Sequence, residues 1–155
     1  MKVLAEQVER FQEWATRQTG RSGEWETDYS EWAALWATAN QTLAKSSLDE
    51  SEIALLLYVL ARDNESELIL EMLLEYPDNG MLLARACLGN SEPDARWQIL
   101  IFLGSQDGEA AQELLRGLVQ DEDEYVRRRA LLASVPRDPK FAETTAKSWL
   151  SAEGE

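Results

Sequence analysis

The chain predicts an all-α fold: a short right-handed α-solenoid of stacked antiparallel helix pairs, about nine helices in all. Three observations predict it. Residues 87–103 (CLGNSEPDARWQILIFL) align with residues 118–134 (LVQDEDEYVRRRALLAS) at an offset of 31, which sets Asn90 on Asp121, Ala95 on Val126, Arg96 on Arg127 and Ile99 on Ala130. A third copy lies 27 residues upstream at 60–74 (LARDNESELILEMLL), where Asp63 falls on Asn90, Leu68 on Ala95 and Met72 on Ile99. Each copy is a helix end, a polar turn and a new apolar helix. One such unit cannot bury its apolar face alone, so copies stack. Finally, sustained alternation of apolar and polar residues, the mark of a strand, is absent.

The elements follow in order. The first helix is expected over about 2–18, where Leu4, Val8, Phe11 and Ala15 recur at three- and four-residue spacing. Two glycines in TGRSG (19–23) break it. A second helix is expected over about 29–45, with Asp28 and Glu31 spaced as a capping box, and a third over about 48–61, with Ser47 and Glu50 in the same relation. The fourth, about 65–75, stops at Tyr76-Pro77, because proline disfavours helix in the residue before it. The fifth, about 79–88, ends at Gly89 and Asn90. The sixth, about 92–103, takes Ser91 as its cap and tolerates Pro93 in its first turn. The seventh spans about 108–119 after Asp107, and the eighth about 122–134, with Asp121 and Glu124 as a capping box and Pro136 closing it. Asp138-Pro139 opens the last, about 140–151. The chain reads as one domain over 1–155: a divergent N-terminal pair (1–46), repeats (47–134) and a capping helix (138–151).

Charge narrows the partners. The net charge is −14. It is concentrated: residues 63–124 hold fifteen acids against three bases, whereas 125–155 hold four acids against six bases. Such a field repels phosphate backbones and anionic membranes, so neither nucleic acid nor membrane is an expected partner, and it attracts a basic protein. The longest apolar run, IALLLYVLA (53–61), falls short of the roughly 18–20 residues needed to span a bilayer. The start, MKVLAEQVERF, is charged and amphipathic rather than signal-like, and the single Cys87 fits a reducing compartment, so a cytoplasmic location is expected. Catalysis has little to stand on. The chain has no histidine, no zinc-ligand spacing and no glycine-rich phosphate loop. No catalytic residue, metal or cofactor is assigned.

The unit at 121–133 (DEDEYVRRRALLA) resembles the HEAT-repeat family, in which acidic turn residues precede Val-Arg and then small apolar residues. Val126, Arg127 and Ala130 match that pattern, Ala95, Arg96 and Ile99 match it more loosely, and Leu68 and Ile69 keep the apolar position without the arginine. The resemblance covers about 49–134. It implies stacked helix pairs and the work of a scaffold, adaptor or inhibitor. Residues 1–46 do not match. Arg127 is expected to tie to Asp121 or Asp123, and Arg96 to Asp94 or a neighbouring turn, with Arg127, Arg128 and Arg129 pointing about 100° apart.

Two candidate binding surfaces follow. Four of the six tryptophans lie in 14–36. Trp14, Trp32 and Trp36 are expected to close the open end of the stack by packing. Trp25, framed by Glu24, Glu26 and Asp28, is expected to stand exposed as a partner contact. The second surface is a concave row from the second helix of each pair: Leu70 and Leu74, Trp97 and Ile101, Arg128 and Leu132, edged by Glu67, Glu71 and Glu75. Two outcomes are open for this row: free exposure, or burial under the terminal helix through Phe141, Thr145 and Trp149. The expected function is a non-enzymatic module binding a protein with a basic surface, in its sharpest form an immunity-type inhibitor of a basic toxin enzyme. The rivals are a scaffold or adaptor acting through the concave row, and an enzyme or lyase-like accessory using paired carboxylates. The oligomeric state is not legible.

Overall fold

Caps and prolines set the helix starts. The structure is a computed structural model that describes residues 3–90 and 92–153. Among the described residues nine α-helices form: α1 (Leu4–Thr16), α2 (Trp32–Leu43), α3 (Glu50–Arg62), α4 (Leu68–Glu75), α5 (Pro77–Cys87), α6 (Pro93–Ser105), α7 (Glu109–Leu118), α8 (Glu124–Ser134) and α9 (Pro139–Glu153). A 3₁₀ turn covers Trp25–Asp28, and no strand is present among them. The fold is all-α, as expected. Pro77, Pro93 and Pro139 each take the first helical position, where the missing N–H has no intrahelical role. The Asp138 carboxylate accepts the Phe141 N–H (3.1 Å) at the start of α9.

Three expected capping boxes move. The box at Asp28 and Glu31 does not form, because residues 25–28 wind into the 3₁₀ turn and α2 starts after Glu31 with no side-chain cap. The box expected at Ser47 and Glu50 sits two residues on: Asp49 accepts the Glu52 N–H (2.8 Å), and Glu52 accepts the Asp49 N–H (3.2 Å). The expected cap Asp121 yields to Asp123, which accepts the Val126 N–H (3.0 Å), because the Asp121 carboxylate is held by Arg96. Ser91 and Lys2, assigned to a cap and to the first helix, lie outside the described residues.

The helices pack in two rows. α1, α3, α5 and α7 adjoin one another in order, as do α2, α4, α6 and α8, and the pairs α1/α2, α3/α4, α5/α6 and α7/α8 join the rows. α6 is the hub, touching α3, α4, α5, α7 and α8. It is accordingly apolar on several sides: Ala95, Ile99, Leu100, Phe102 and Leu103 are all buried. Its buried Gln98 amide donates to the Leu60 carbonyl of α3 (2.5 Å). Where α5 crosses Phe102 the contact is so close that a Cβ on Gly80 would run into the ring. α9 packs on α8.

This order puts the turns within pairs (17–31, 63–67, 88–92 and 119–123) on one edge. The joints between pairs lie on the other, where the Asn79 amide donates to the Leu43 and Lys45 carbonyls (2.7 and 2.8 Å), and Arg137 donates to the Gly104 carbonyl and pairs with Asp107 (3.1 Å). At the N-terminal end Phe11 is fully buried among Trp14 (5.5 Å), Trp25 (6.3 Å), Tyr29 (5.0 Å), Trp32 (5.3 Å) and Tyr58 (6.2 Å). No described helix is long and apolar enough to cross a membrane.

Candidate functional site

The edge made by the turns within pairs collects the acids. Each turn is tied to the next. The Asp63 carboxylate is buried and accepts the Trp36 indole N–H from α2 (2.9 Å) and the Ile69 N–H (2.7 Å). Arg62, at the end of α3, makes a two-pronged contact with Glu92 in the next turn (2.9 and 3.0 Å). Arg96 of α6 reaches the turn after that, pairing with Asp121 (2.8 Å) and donating to the Asn90 carbonyl (2.6 Å). Both Arg96 and Asp121 are almost wholly out of solvent, so this contact is geometric register as well as charge. The aligned helix position in α4 is Ile69, without an arginine, and the turn that follows carries neutral Asn90 in place of an aspartate.

Outside these latches Glu24, Asp28, Glu65 and Glu122 face water. Glu24 lies beside the exposed Glu65, whose carboxyl is raised above its ordinary range by desolvation first and then by the charges of Glu24 and Glu67. Glu26 is pushed up by partial burial, against the pull of Arg62 and Arg21, and feels the charge of Asp94. Glu24, Glu26, Glu65, Glu67, Asp94 and Glu122 thus belong to one edge spanning four successive turns. Sequence reasoning named Glu24, Glu26 and Asp28 for this kind of contact and set Glu67 apart on the concave row. The structure places Glu67 instead at the start of α4 with φ 55°, beside Glu65 and Glu24. Glu65 was missed; its signal was the acid spacing within NESE (64–67).

Trp25 requires a correction. It does not stand exposed. It stacks on Trp14 (5.6 Å, 14° between planes) and lies under the Arg21 guanidinium (4.9 Å). Gly20 and Gly23, both at positive φ, let the chain reverse and lay the 3₁₀ turn back on α1. The acids on either side set the solvent face of that turn and not the position of the indole. Glu24 and Asp28 are exposed, and Glu26 is half-buried.

The second-helix face is the other surface. Leu74, Ile101 and Leu132 occupy equivalent positions in α4, α6 and α8 and are exposed by 49%, 39% and 68%. Glu71 and Arg128 are exposed beside them. Leu70 is the second correction: it is 4% exposed, because α4 starts at Leu68 and its first turn lies between α2 and α6. Trp97 is half-buried. Its indole N–H donates to Asp94 (3.1 Å), its ring meets Tyr125 edge-on (6.2 Å), and Arg129 lies over both rings. The three arginines of α8 do diverge: Arg127 donates to the Asp121 and Glu122 carbonyls (2.8 and 2.9 Å), Arg128 pairs with Glu124 (2.7 Å), and Arg129 turns to Trp97. Arg127 therefore ties to turn carbonyls, not to the expected turn carboxylates. The terminal helix does not cover the row. α9 leaves Leu132 exposed and forms with α8 an apolar groove of about 410 Å³ lined by Arg128, Leu131, Leu132, Ala146, Trp149 and Leu150.

Chemically these surfaces can attract and bury; little in them is reactive. Cys87 is enclosed, and burial pushes its thiol up to about 12, so it stays protonated at neutral pH. Among the described residues no three carboxylate or thiol groups are placed to hold a metal ion. No protein-family model, curated protein or solved structure matches the chain.

Proposed function

We propose that this chain is a non-enzymatic, HEAT-like protein-binding module that captures a basic partner on its acidic turn edge, and that it serves in the cytoplasm as an immunity-type inhibitor of a basic toxin enzyme. The observation that carries the reading is the convergence of Glu24, Glu65 and Glu67 on one edge, where desolvation first and then the two like charges raise the Glu65 carboxyl. Like charges held together on an exposed edge repel each other until an opposing charge arrives. A lysine- or arginine-rich surface would relieve that repulsion on binding. Charge of this kind accelerates encounter, and residence comes from whatever apolar contact the partner adds. The Arg62–Glu92 and Arg96–Asp121 latches hold the last three turns in line, so the carboxylates there are presented as a fixed row.

The test is affinity capture from the native cell, identification of the bound protein, and titration of the purified pair between about 50 and 300 mM salt. The reading expects a basic partner, affinity falling at least tenfold over that range, and a further loss with Glu24→Lys and Glu65→Lys. An affinity indifferent to salt and to both substitutions would instead favour an adaptor acting through the second-helix face. Turnover abolished by one carboxylate substitution would make the chain an enzyme.

A further inference from the structure

We infer that two copies of this chain associate face to face through the exposed stripe of α4, α6 and α8, about a two-fold axis parallel to the helices and passing by Ile101. The inference stands apart from the capture of a basic partner, which uses the turn edge. Leu74, Ile101 and Leu132 are exposed at the same position of three adjoining helices, so they form one row across the face. Its two ends differ in charge. One turn before Leu74, α4 carries exposed Glu71; one turn before Leu132, α8 carries exposed Arg128.

That pattern selects the symmetry. Alternate helices of antiparallel pairs run the same way, so α4, α6 and α8 are parallel. A two-fold axis along the row direction would lay α4 on its own copy, running the opposite way, and leave Glu71 with no Arg128 to meet. An axis along the helices reverses the row and keeps helix direction. It lays α4 on the partner's α8, Leu74 on Leu132, Ile101 near its own copy, and Glu71 opposite Arg128 at both ends. Either axis lays apolar on apolar, but this one also joins opposite charges at both ends, and both partners use the same patch, as an isologous interface requires. Arg128 is otherwise held by the exposed Glu124 one turn away, a contact weak enough to be shared or exchanged. A second copy also explains why this face can meet a molecule of net charge −14: the α8–α9 end, unlike the rest, carries more bases than acids. At about 8–10 Å per helix the three helices span roughly 25 Å, a narrow face, so weak association at roughly micromolar to submillimolar concentration is expected.

Sedimentation equilibrium of the full chain from about 5 to 500 μM tests this. The expected result is a monomer–dimer equilibrium that Ile101→Glu weakens at least tenfold, with the circular dichroism of the native chain retained. Glu71→Arg and Arg128→Glu should each weaken the dimer alone, whereas an equimolar mixture of the two variants should restore it as a heterodimer, since both end contacts then join opposite charges. A monomer throughout the range overturns the inference. So does a dimer indifferent to Ile101→Glu, or a mixture that does not recover. If Ile101→Glu abolishes capture of a different protein while the native chain remains monomeric, the stripe serves that protein and the inference is likewise overturned.

Discussion

The N-terminal pair and the pairs that follow it are held by different forces. α1 and α2 sit at an end of the stack with neighbours on one side only, and they close on themselves with rings: Phe11 is enclosed by five aromatic side chains, and Trp32 stacks on Trp36 (5.5 Å, 19°). The pairs α5/α6 and α7/α8 have neighbours to pack on, bury mainly smaller aliphatic side chains around the single ring of Phe102, and take their register from buried polar contacts at the turns, chiefly Arg96–Asp121. A terminal unit must supply the apolar surface that an interior unit borrows from its neighbours, and large rings supply most per residue. An interior unit has surface enough and needs alignment, which a directional ion pair provides. The C-terminal end shows what happens without such a box: Leu132 and Leu150 remain exposed by 68% and 70%.

The sharpest break in the aromatic half is Phe11→Ala. Removing a fully buried ring from the centre of the box should cost about 3–5 kcal/mol in urea unfolding. The comparison adds a finer expectation: amides of α1 and α2 should lose hydrogen-exchange protection while those of α6 and α8 keep it. Uniform loss of protection would mean that the two regions are one cooperative unit, whatever their chemistry.

The matching break in the repeats is Arg96→Met. It leaves the Asp121 carboxylate desolvated, with the Asp123 N–H as its remaining donor, and deprives the Asn90 carbonyl of its donor. About 3 kcal/mol should be lost. Adding Asp121→Asn should return a good part of it, because the uncompensated charge is what destabilises. If the double variant is as unstable as the sum of the singles, the pair acts as two independent side chains and does not latch one repeat to the next.

How much of this was legible follows from the same division. The all-helical fold, the repeat offsets and the core face of α6 (Ala95, Ile99, Phe102 and Leu103) could be read directly, because apolar periodicity at 3.6 residues is a local signal. The exposed Leu74, Ile101 and Leu132 could be read too, by carrying one helix's outward face across the offset. Cap choice could not. Ser47 and Asp49 each precede a glutamate by three residues, as do Asp28 and Asp121, and a local rule has no means of choosing between such matches. Arg96 settles the matter at Asp121 by taking that carboxylate from 25 residues away. Trp25 failed for a related reason: its charged neighbours describe the solvent side of the turn, whereas Trp14, eleven residues back, decides where the indole goes. Leu70 failed because α4 starts later in the repeat than α6, so an aligned position is the third residue of one helix and the fifth of the other.

Gly80→Ala probes the aliphatic half at smaller scale. In an open helix the change would stabilise by up to about 1 kcal/mol. Here the new methyl meets the Phe102 ring, and crowding of that kind costs about 1–3 kcal/mol, so a net loss of about 1 kcal/mol is expected. Phe102→Leu, destabilising in an otherwise native chain, should become less so in the Gly80→Ala background. Equal costs in both backgrounds would show that α5 and α6 can slide apart to admit the methyl.

The smallest effect sits at the seam of the two regions. Asp63 is where the aromatic end, through Trp36, meets the first repeat turn. Burial raises its carboxyl above the ordinary 3.8, against the hydrogen bonds from Ile69 and Trp36 that favour the charged form. The folded state therefore holds the Asp63 proton more tightly than the unfolded chain does, and the sign follows from proton counting. As pH rises from 3.8 through the raised value, the native chain binds more protons than the unfolded chain, and stability from this group declines. Asp63→Asn removes that titration, so the unfolding midpoint of the native chain should fall relative to that of the variant across this window and run parallel to it above. Parallel midpoints throughout would place Asp63 in contact with water. The seam would then be an ordinary exposed cap, and the rings at one end and the latches at the other would meet without a buried charge between them.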